Sequence, residues 1–343
     1  RQRLDRLTKP RGSLGRLEQI VVQLAGVRGA TIPSIGRRAI VVMAADHGVA
    51  ARGVSAYPSE VTGQMVANFL AGGAAINALG RQLGARLIVV DMGVAAPLPP
   101  RAGLFSRRLG AGTRDLSVDS AMTSEQALAG ILTGIELAAG LASEGIELLI
   151  PGEMGIGNST AAAAIVAALT GRPASAVTGR GTGLSDAGLA HKTELIDAAI
   201  ARHRLDARDP IGVLAEVGGF EIAGLVGLLL GAAAARVAVL LDGFIVGAAA
   251  LVAVGIAPAL RPHLIAGHRS AEPGHRTVLD ALELRPILEL DLRLGEGSGA
   301  AVALGVVDAA LRMYREMATF EEAAVSGRSA DPVLRVDRLS DGG

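Results

Sequence analysis

The chain has no cysteine and no tryptophan, and only two tyrosines and five phenylalanines among 343 residues. The first absence removes disulfides, thiolate metal sites and cysteine nucleophiles together, and it fits a cytoplasmic protein. The scarcity of aromatics means that a flat heterocyclic ligand has to be held by aliphatic side chains and backbone rather than by an aromatic cage. Charge of one sign is lacking too: 33 basic residues balance 33 acidic ones. No Lys/Arg run forms a track for a phosphate backbone, so nucleic acid is not expected as a partner. The opening stretch, Arg1 to Pro10, is charged and lacks the apolar core of a secretion signal.

Apolar residues, by contrast, make up 50% of the chain. That excludes a disordered protein and supports one large domain, alone or with a smaller one. Ala223 to Leu260 is almost wholly apolar, but Arg236 and Asp242 interrupt it and Gly and Ala are frequent. It reads as a buried helix, strand and helix, so no membrane span is expected.

Short aliphatic runs alternate with longer Ala/Leu-rich segments. Ala39 to Met43, Arg86 to Val90, Glu147 to Ile150 and Val237 to Leu241 read as strands. Because they are apolar throughout, they predict strands buried on both faces of a parallel sheet, in a doubly wound, Rossmann-like α/β fold. Each run ends in an acid or meets one soon after: Asp46, Asp91, Glu153 and Asp242. Either the four converge on a ligand crevice at the carboxyl ends of the strands, or they cap helices. An amphipathic helix after Pro10 and Gly12, and helical character from Val302 through Met317, predict a small helical subdomain built from residues 1–35 and 301–343, beside an α/β domain over 36–300. Gly342 and Gly343 read as a frayed tail.

Three glycine-rich segments carry chemistry. The segment from Gly152 to Thr160, GEMGIGNST, follows a strand and leads into an Ala-rich helix. Its glycines let several N–H groups face one spot, and the helix N-terminus adds a positive end, which makes an anion cradle; a plain strand-to-helix connection reads the same way. Val177 to Asp186, with GRGTG, is followed by His191 and Lys192. Two such loops and a lysine can enclose a phosphate, although Lys192 alone reads as a solvated helix residue. In LRLGEGSGA, Glu296 stands between glycines after an apolar segment, where a flat substrate can approach and an apolar wall raises its pKa toward that of a general base. A helix-initiating acid in a tight turn is the other reading. His263, His268 and His275 are spaced by five and seven residues, off any common helix face, so no metal is expected; His268, Arg269 and Ser270 read equally as residues that shape a loop by hydrogen bonding.

In this order the pieces resemble the nicotinate-nucleotide–dimethylbenzimidazole phosphoribosyltransferases of cobalamin lower-ligand synthesis. The resemblance runs through LTKPRGSLGRLE, DHGVAARGVSAYPSEVTGQMV, NFLAGGAAIN, PGEMGIGNST, GRGTGLSD, EVGGFEIAGL, LDGFI, AGHRSAEPGHR, LRLGEGSGAA and MATFEEA, nearly the whole chain. It implies transfer of the 5-phosphoribosyl group of nicotinate mononucleotide to 5,6-dimethylbenzimidazole or a similar base, by a homodimer without a cofactor. It also implies that Glu296 is the catalytic base. Glu153, Gly155, Ile156, Gly157, Asn158, Ser159, Gly181, Lys192 and Asp242 then bind the nucleotide and its phosphate. Ser55, Tyr57, Ser59, Gln64 and Leu294 border the base. The family pattern after GRGTG is an apolar residue and two acids, whereas here Leu184 precedes Ser185 and Asp186, so no role passes to the first of those acids.

The implied reaction suits these residues. Nicotinate leaves from a pyridinium, so bond cleavage cancels a positive charge and needs no metal, unlike departure of pyrophosphate. The incoming base attacks through one ring nitrogen while the other sheds a proton, which Glu296 accepts, and in-line displacement inverts the anomeric carbon to give an α-ribotide. A non-catalytic nucleotide sensor, and an enzyme that hydrolyses the nucleotide without an acceptor base, are the competing readings.

Overall fold

A computed structural model of the chain describes residues 1–326. Six strands form one sheet: β1 (Arg38–Ala45), β2 (Arg86–Gly93), β3 (Leu104–Ser106), β4 (Leu148–Met154), β5 (Ala238–Leu241) and β6 (Leu264–Ala266). Their order is β3-β2-β1-β4-β5-β6 and every pairing is parallel. This is the doubly wound order, and it reverses between β1 and β4, where a crevice opens at the carboxyl ends. Two short strands, β7 (His268–Arg269) and β8 (Leu288–Glu289), pair separately. The four strands read from sequence are all present. β3, β6, β7 and β8 are two or three residues long, too short to leave a periodic signal.

Side chains of β1 alternate between two apolar cores, which is why the strand reads as an unbroken apolar run. Ala39, Val41 and Met43 face one core with helices Ser124–Ser143, Asn158–Thr170, Phe220–Ala234 and Phe244–Ile256. Ile40, Val42 and Ala44 face the other, with helices Arg16–Arg28, Glu60–Ala71, Ala75–Leu83 and Ser298–Glu316. Ala223 to Leu260 contains the expected helix, strand and helix around β5.

Glycine sets the approach of two of these helices. Ser124–Ser143 is long and apolar enough to cross a membrane, yet it lies along Phe220–Ala234. A Cβ at Gly227 would stand 1.8 Å from the Ile131 carbonyl, and one at Gly134 2.0 Å from that of Gly224. Only glycine permits backbones that close.

The first and last described segments meet on the second face. Leu7 and Thr319 form an antiparallel bridge, and the Arg3 guanidinium donates to the carbonyls of Tyr314 and Met317. Leu4, Leu7, Ile20, Leu24 and Tyr314 share one apolar cluster with Ile40, Val42 and Ile150 of the sheet. Gly342 and Gly343, with the rest of 327–343, lie outside the described residues.

Candidate active site

The anion cradle forms where β4 ends at the reversal of strand order. Met43 of β1 stands beside Glu153 in register. Past the strand, a Cβ at Gly155 would lie 2.4 Å from the Ala45 carbonyl, so the turn needs a glycine there. Gly157, at φ +96°, then opens the helix Asn158–Thr170. The Ile156 N–H donates to Thr62 Oγ1 (3.1 Å), anchoring the turn to a neighbouring helix. The Glu153 carboxylate is buried and accepts a short hydrogen bond from the Asn158 amide. Burial pushes its pKa up to about 8, reinforced by the negative charges of Asp242 and Glu221.

The second loop and its lysine close on the same helix start. Lys192 is fully buried, contrary to the solvated position its local sequence suggests. Helix Asp186–His203 carries its ammonium inward to Ser159 Oγ (2.9 Å) and the Gly179 carbonyl (3.2 Å). Burial lowers its pKa to about 8, with Glu272 pushing the other way. A Cβ at Gly181 would stand 2.8 Å from Ser159 Oγ, so the two glycine-rich loops touch here. Ser185 caps its helix by accepting the Gly188 N–H (3.2 Å), while Asp186 pairs with Arg180. Neither lines the cleft, so the departure from the family pattern falls on a helix start.

The third segment lies against the end of β4. Gly295, Glu296 and Gly297 all have positive φ, at +86°, +63° and +86°. A glutamate between two left-handed glycines is strained and is held by its surroundings. Gly152 packs beneath: a Cβ there would meet the Glu296 carbonyl at 2.4 Å. The Glu296 N–H donates to the Glu153 carbonyl (3.3 Å), and its carboxylate accepts the Ile76 N–H (3.4 Å). Burial raises the Glu296 pKa, the Ile76 amide opposes that, and the Asp242 charge adds to it. The source of burial differs from the sequence reading. Leu294 is 58% exposed; the covering wall is the end of β4 and the start of helix Ala75–Leu83, distant in sequence.

The four strand-end acids divide. Glu153 and Asp242 line the cleft. Asp242 is also engaged behind it, accepting the N–H groups of Gly297 (3.2 Å) and Ala300 (3.0 Å), with His268 Nε2 3.3 Å away. Asp46 accepts the Ala95 N–H, and Asp91 accepts those of Gly93 and Val94 beside Arg108, so these two fasten loops instead. His47 and Glu221 form a fully buried pair at 2.7 Å. His275 Nδ1 accepts the Ser270 N–H, and burial drives this imidazole's pKa down to about 3, leaving it neutral.

Together these elements bound a cleft of about 520 Å³. Of the residues expected from sequence, Glu153, Gly155, Ile156, Asn158, Ser159, Gly181, Asp242, Tyr57, Leu294 and Glu296 line it. Gly157 and Lys192 stand behind the lining. Ser55 hydrogen-bonds Thr182 at the rim (3.1 Å). Ser59 and Gln64 do not line the cleft; on that stretch Val61 and Met65, one helical turn apart, face it instead. Sequence reasoning also missed His268, Ser270, Glu272 and Arg293. The AGHRSAEPGHR motif was the available signal for three of them.

Comparisons with known proteins agree with this fold. A family model described as phosphoribosyltransferase matches residues 1–325. The nicotinate-nucleotide–dimethylbenzimidazole phosphoribosyltransferase of Roseiflexus sp. (strain RS-1) is 57% identical over 95% of this chain and 92% of its own. The enzyme of the same name from Chloroflexus aurantiacus (strain J-10-fl) is 56% identical over 95% and 93%. The crystal structure of CobT from Thermus thermophilus superposes with a TM-score of 0.92 at 50% identity, covering 95% of this chain and 98% of that one. In sequence from Arg1 to Val325 and in the order of its sheet, this chain belongs to the phosphoribosyltransferase family.

Proposed function

We propose that the cleft transfers the 5-phosphoribosyl group of nicotinate mononucleotide to 5,6-dimethylbenzimidazole or a similar base, the reaction for which the relatives are named. The phosphate lies at the helix start of Asn158 and Ser159, between Gly181 and Lys192. The acceptor base rests on Tyr57, Val61, Met65 and Leu294, an aliphatic clamp with one tyrosine, as the scarcity of aromatics requires. One acceptor nitrogen attacks C1′ as the bond to nicotinate breaks, and that electron pair returns to the pyridinium nitrogen. The proton on the other acceptor nitrogen passes to Glu296. Attack opposite the leaving group inverts the anomeric carbon and gives α-ribazole 5′-phosphate.

One observation carries this reading: Glu296, buried with a raised pKa, shares a single cleft with a lysine-backed anion cradle. A nucleotide sensor would need the cradle and have no use for the strained glutamate. Mixing the protein with nicotinate mononucleotide and dimethylbenzimidazole is expected to release nicotinate and an α-ribotide. Release without the acceptor would make the protein a hydrolase instead, and no release would defeat the proposal.

Family membership supports, as companions to this reading, a cytoplasmic homodimer acting on small molecules without nucleic acid, membrane or cofactor. We also propose that residues 1–35 and 301–326 act as one helical subdomain, supported by the contacts of Leu7 with Thr319 and of Arg3 with Tyr314; the rest of the 301–343 stretch lies outside the described residues.

A further inference from the structure

Glu272 belongs to neither the transfer chemistry nor the acceptor contacts, yet it lines the cleft and is 8% exposed. It sits in the turn between β7 and the helix Gly274–Leu282, its backbone N–H donating to Ser270 Oγ (3.2 Å). Its Oε1 accepts the Gly181 N–H (3.1 Å). Its Oε2 rests against Gly179, where a Cβ would approach to 1.9 Å, and finds no donor among the described residues. Lys192, whose ammonium bonds the Gly179 carbonyl, feels its negative charge. A buried carboxylate with one oxygen unsatisfied is poorly held, because a buried polar atom without a partner loses its hydration and gains nothing in return. Its surroundings are nevertheless the Gly181 amide and the Lys192 ammonium, the donors on which a phosphate at this cradle depends. A phosphate and a carboxylate repel across such a gap.

We propose that Glu272 is an anion placeholder: its carboxylate occupies the Gly181 N–H and sets its charge near the Lys192 ammonium, keeping loop 179–183 in place, and the 5′-phosphate displaces it on binding. This rests on the phosphate assignment given under the proposed function. The arrangement lowers apparent phosphate affinity by the fraction of molecules in which Glu272 holds the cradle.

The test is calorimetric titration with inorganic phosphate at about pH 6.5, below the Lys192 pKa, so that the ammonium is charged throughout. Glu272→Gln and Glu272→Ala are each expected to bind phosphate about fivefold or more tightly than the natural protein. Lys192→Met, measured alongside, is expected to bind it more weakly. Equal or weaker binding by both Glu272 variants, with Lys192→Met still weakened, overturns the placeholder and leaves the phosphate assignment standing. Unaltered binding by Lys192→Met removes that assignment, and the placeholder with it. A check without substitution is a crystal of the natural protein soaked in phosphate: the Glu272 carboxylate should have left the Gly181 amide, and if it stays there with phosphate bound, the inference is wrong.

Discussion

The Asp242 carboxylate accepts the N–H of Gly297, the residue after Glu296, at 3.2 Å. A second bond to Ala300 (3.0 Å) makes Asp242 the clamp on the start of helix Ser298–Glu316, and so on the strained turn that presents Glu296. The same carboxylate raises the Glu296 pKa by its charge.

Asp242→Asn tests both effects. Its amide can satisfy one of the two helix N–H groups and leaves the other short, so unfolding free energy should fall by about 1–3 kcal/mol. Loss of the charge lowers the Glu296 pKa. A base works deprotonated, so the acid limb of the kcat/KM profile should move to lower pH. A limb that stays put or moves up would show that Asp242 does not tune Glu296.

Glu296→Gln keeps the shape and the Ile76 contact but cannot take a proton. Turnover should fall on the order of 10²–10⁴-fold, with KM for the acceptor base within about threefold. Steady-state kinetics with dimethylbenzimidazole check this, and near-normal turnover would remove the general base from the reaction.

Glu153 offers a stability measurement independent of activity. Its folded pKa of about 8 lies above the ordinary 4.5, so the folded protein keeps a proton that the unfolded chain releases. The stability this contributes is full below 4.5 and is lost as pH rises toward 8. Glu153→Gln carries a permanently neutral side chain and should lack that decline. Urea midpoints of the two proteins at about pH 5 and about pH 8 should therefore shift relative to each other, the natural protein losing ground at the higher pH. Parallel behaviour would mean that Glu153 ionises normally.

Gly295→Ala combines two penalties. Position 295 has φ +86°, and the added Cβ would stand 2.3 Å from Glu153 Oε1. The backbone alone costs about 1–2 kcal/mol, and the clash displaces either Glu153 or the Glu296 turn. The thermal midpoint should drop, with turnover falling about tenfold or more as the groups lose alignment. An alanine variant with unchanged midpoint and turnover would show that the turn adapts freely.

The sheet's central strands are legible in the residues alone, because strands buried on both faces must be apolar at every position, as Val41 and Val42 are. The sequence also marked the three glycine-rich turns, since GEMGIGN, GRGTG and LGEG leave their mark wherever backbone must run close. What it could not give was the partner across space. Lys192 reads as solvated in its own helix, yet that helix delivers it to Ser159. The local sequence points to the apolar segment before Glu296 as its cover, whereas Gly152 at the end of β4 and Ile76 of a distant helix lie against it. Asp46 and Asp91 follow the same strand-then-acid pattern as Asp242, and only the loops around them turned two away from the cleft. The physical reason is one of range: conformational preference and burial periodicity act over a few residues and are written locally. Desolvation, charge coupling and hydrogen-bond pairing depend on which distant segments the fold brings within a few ångströms, and that follows from the strand order and the loops at the carboxyl ends of the sheet.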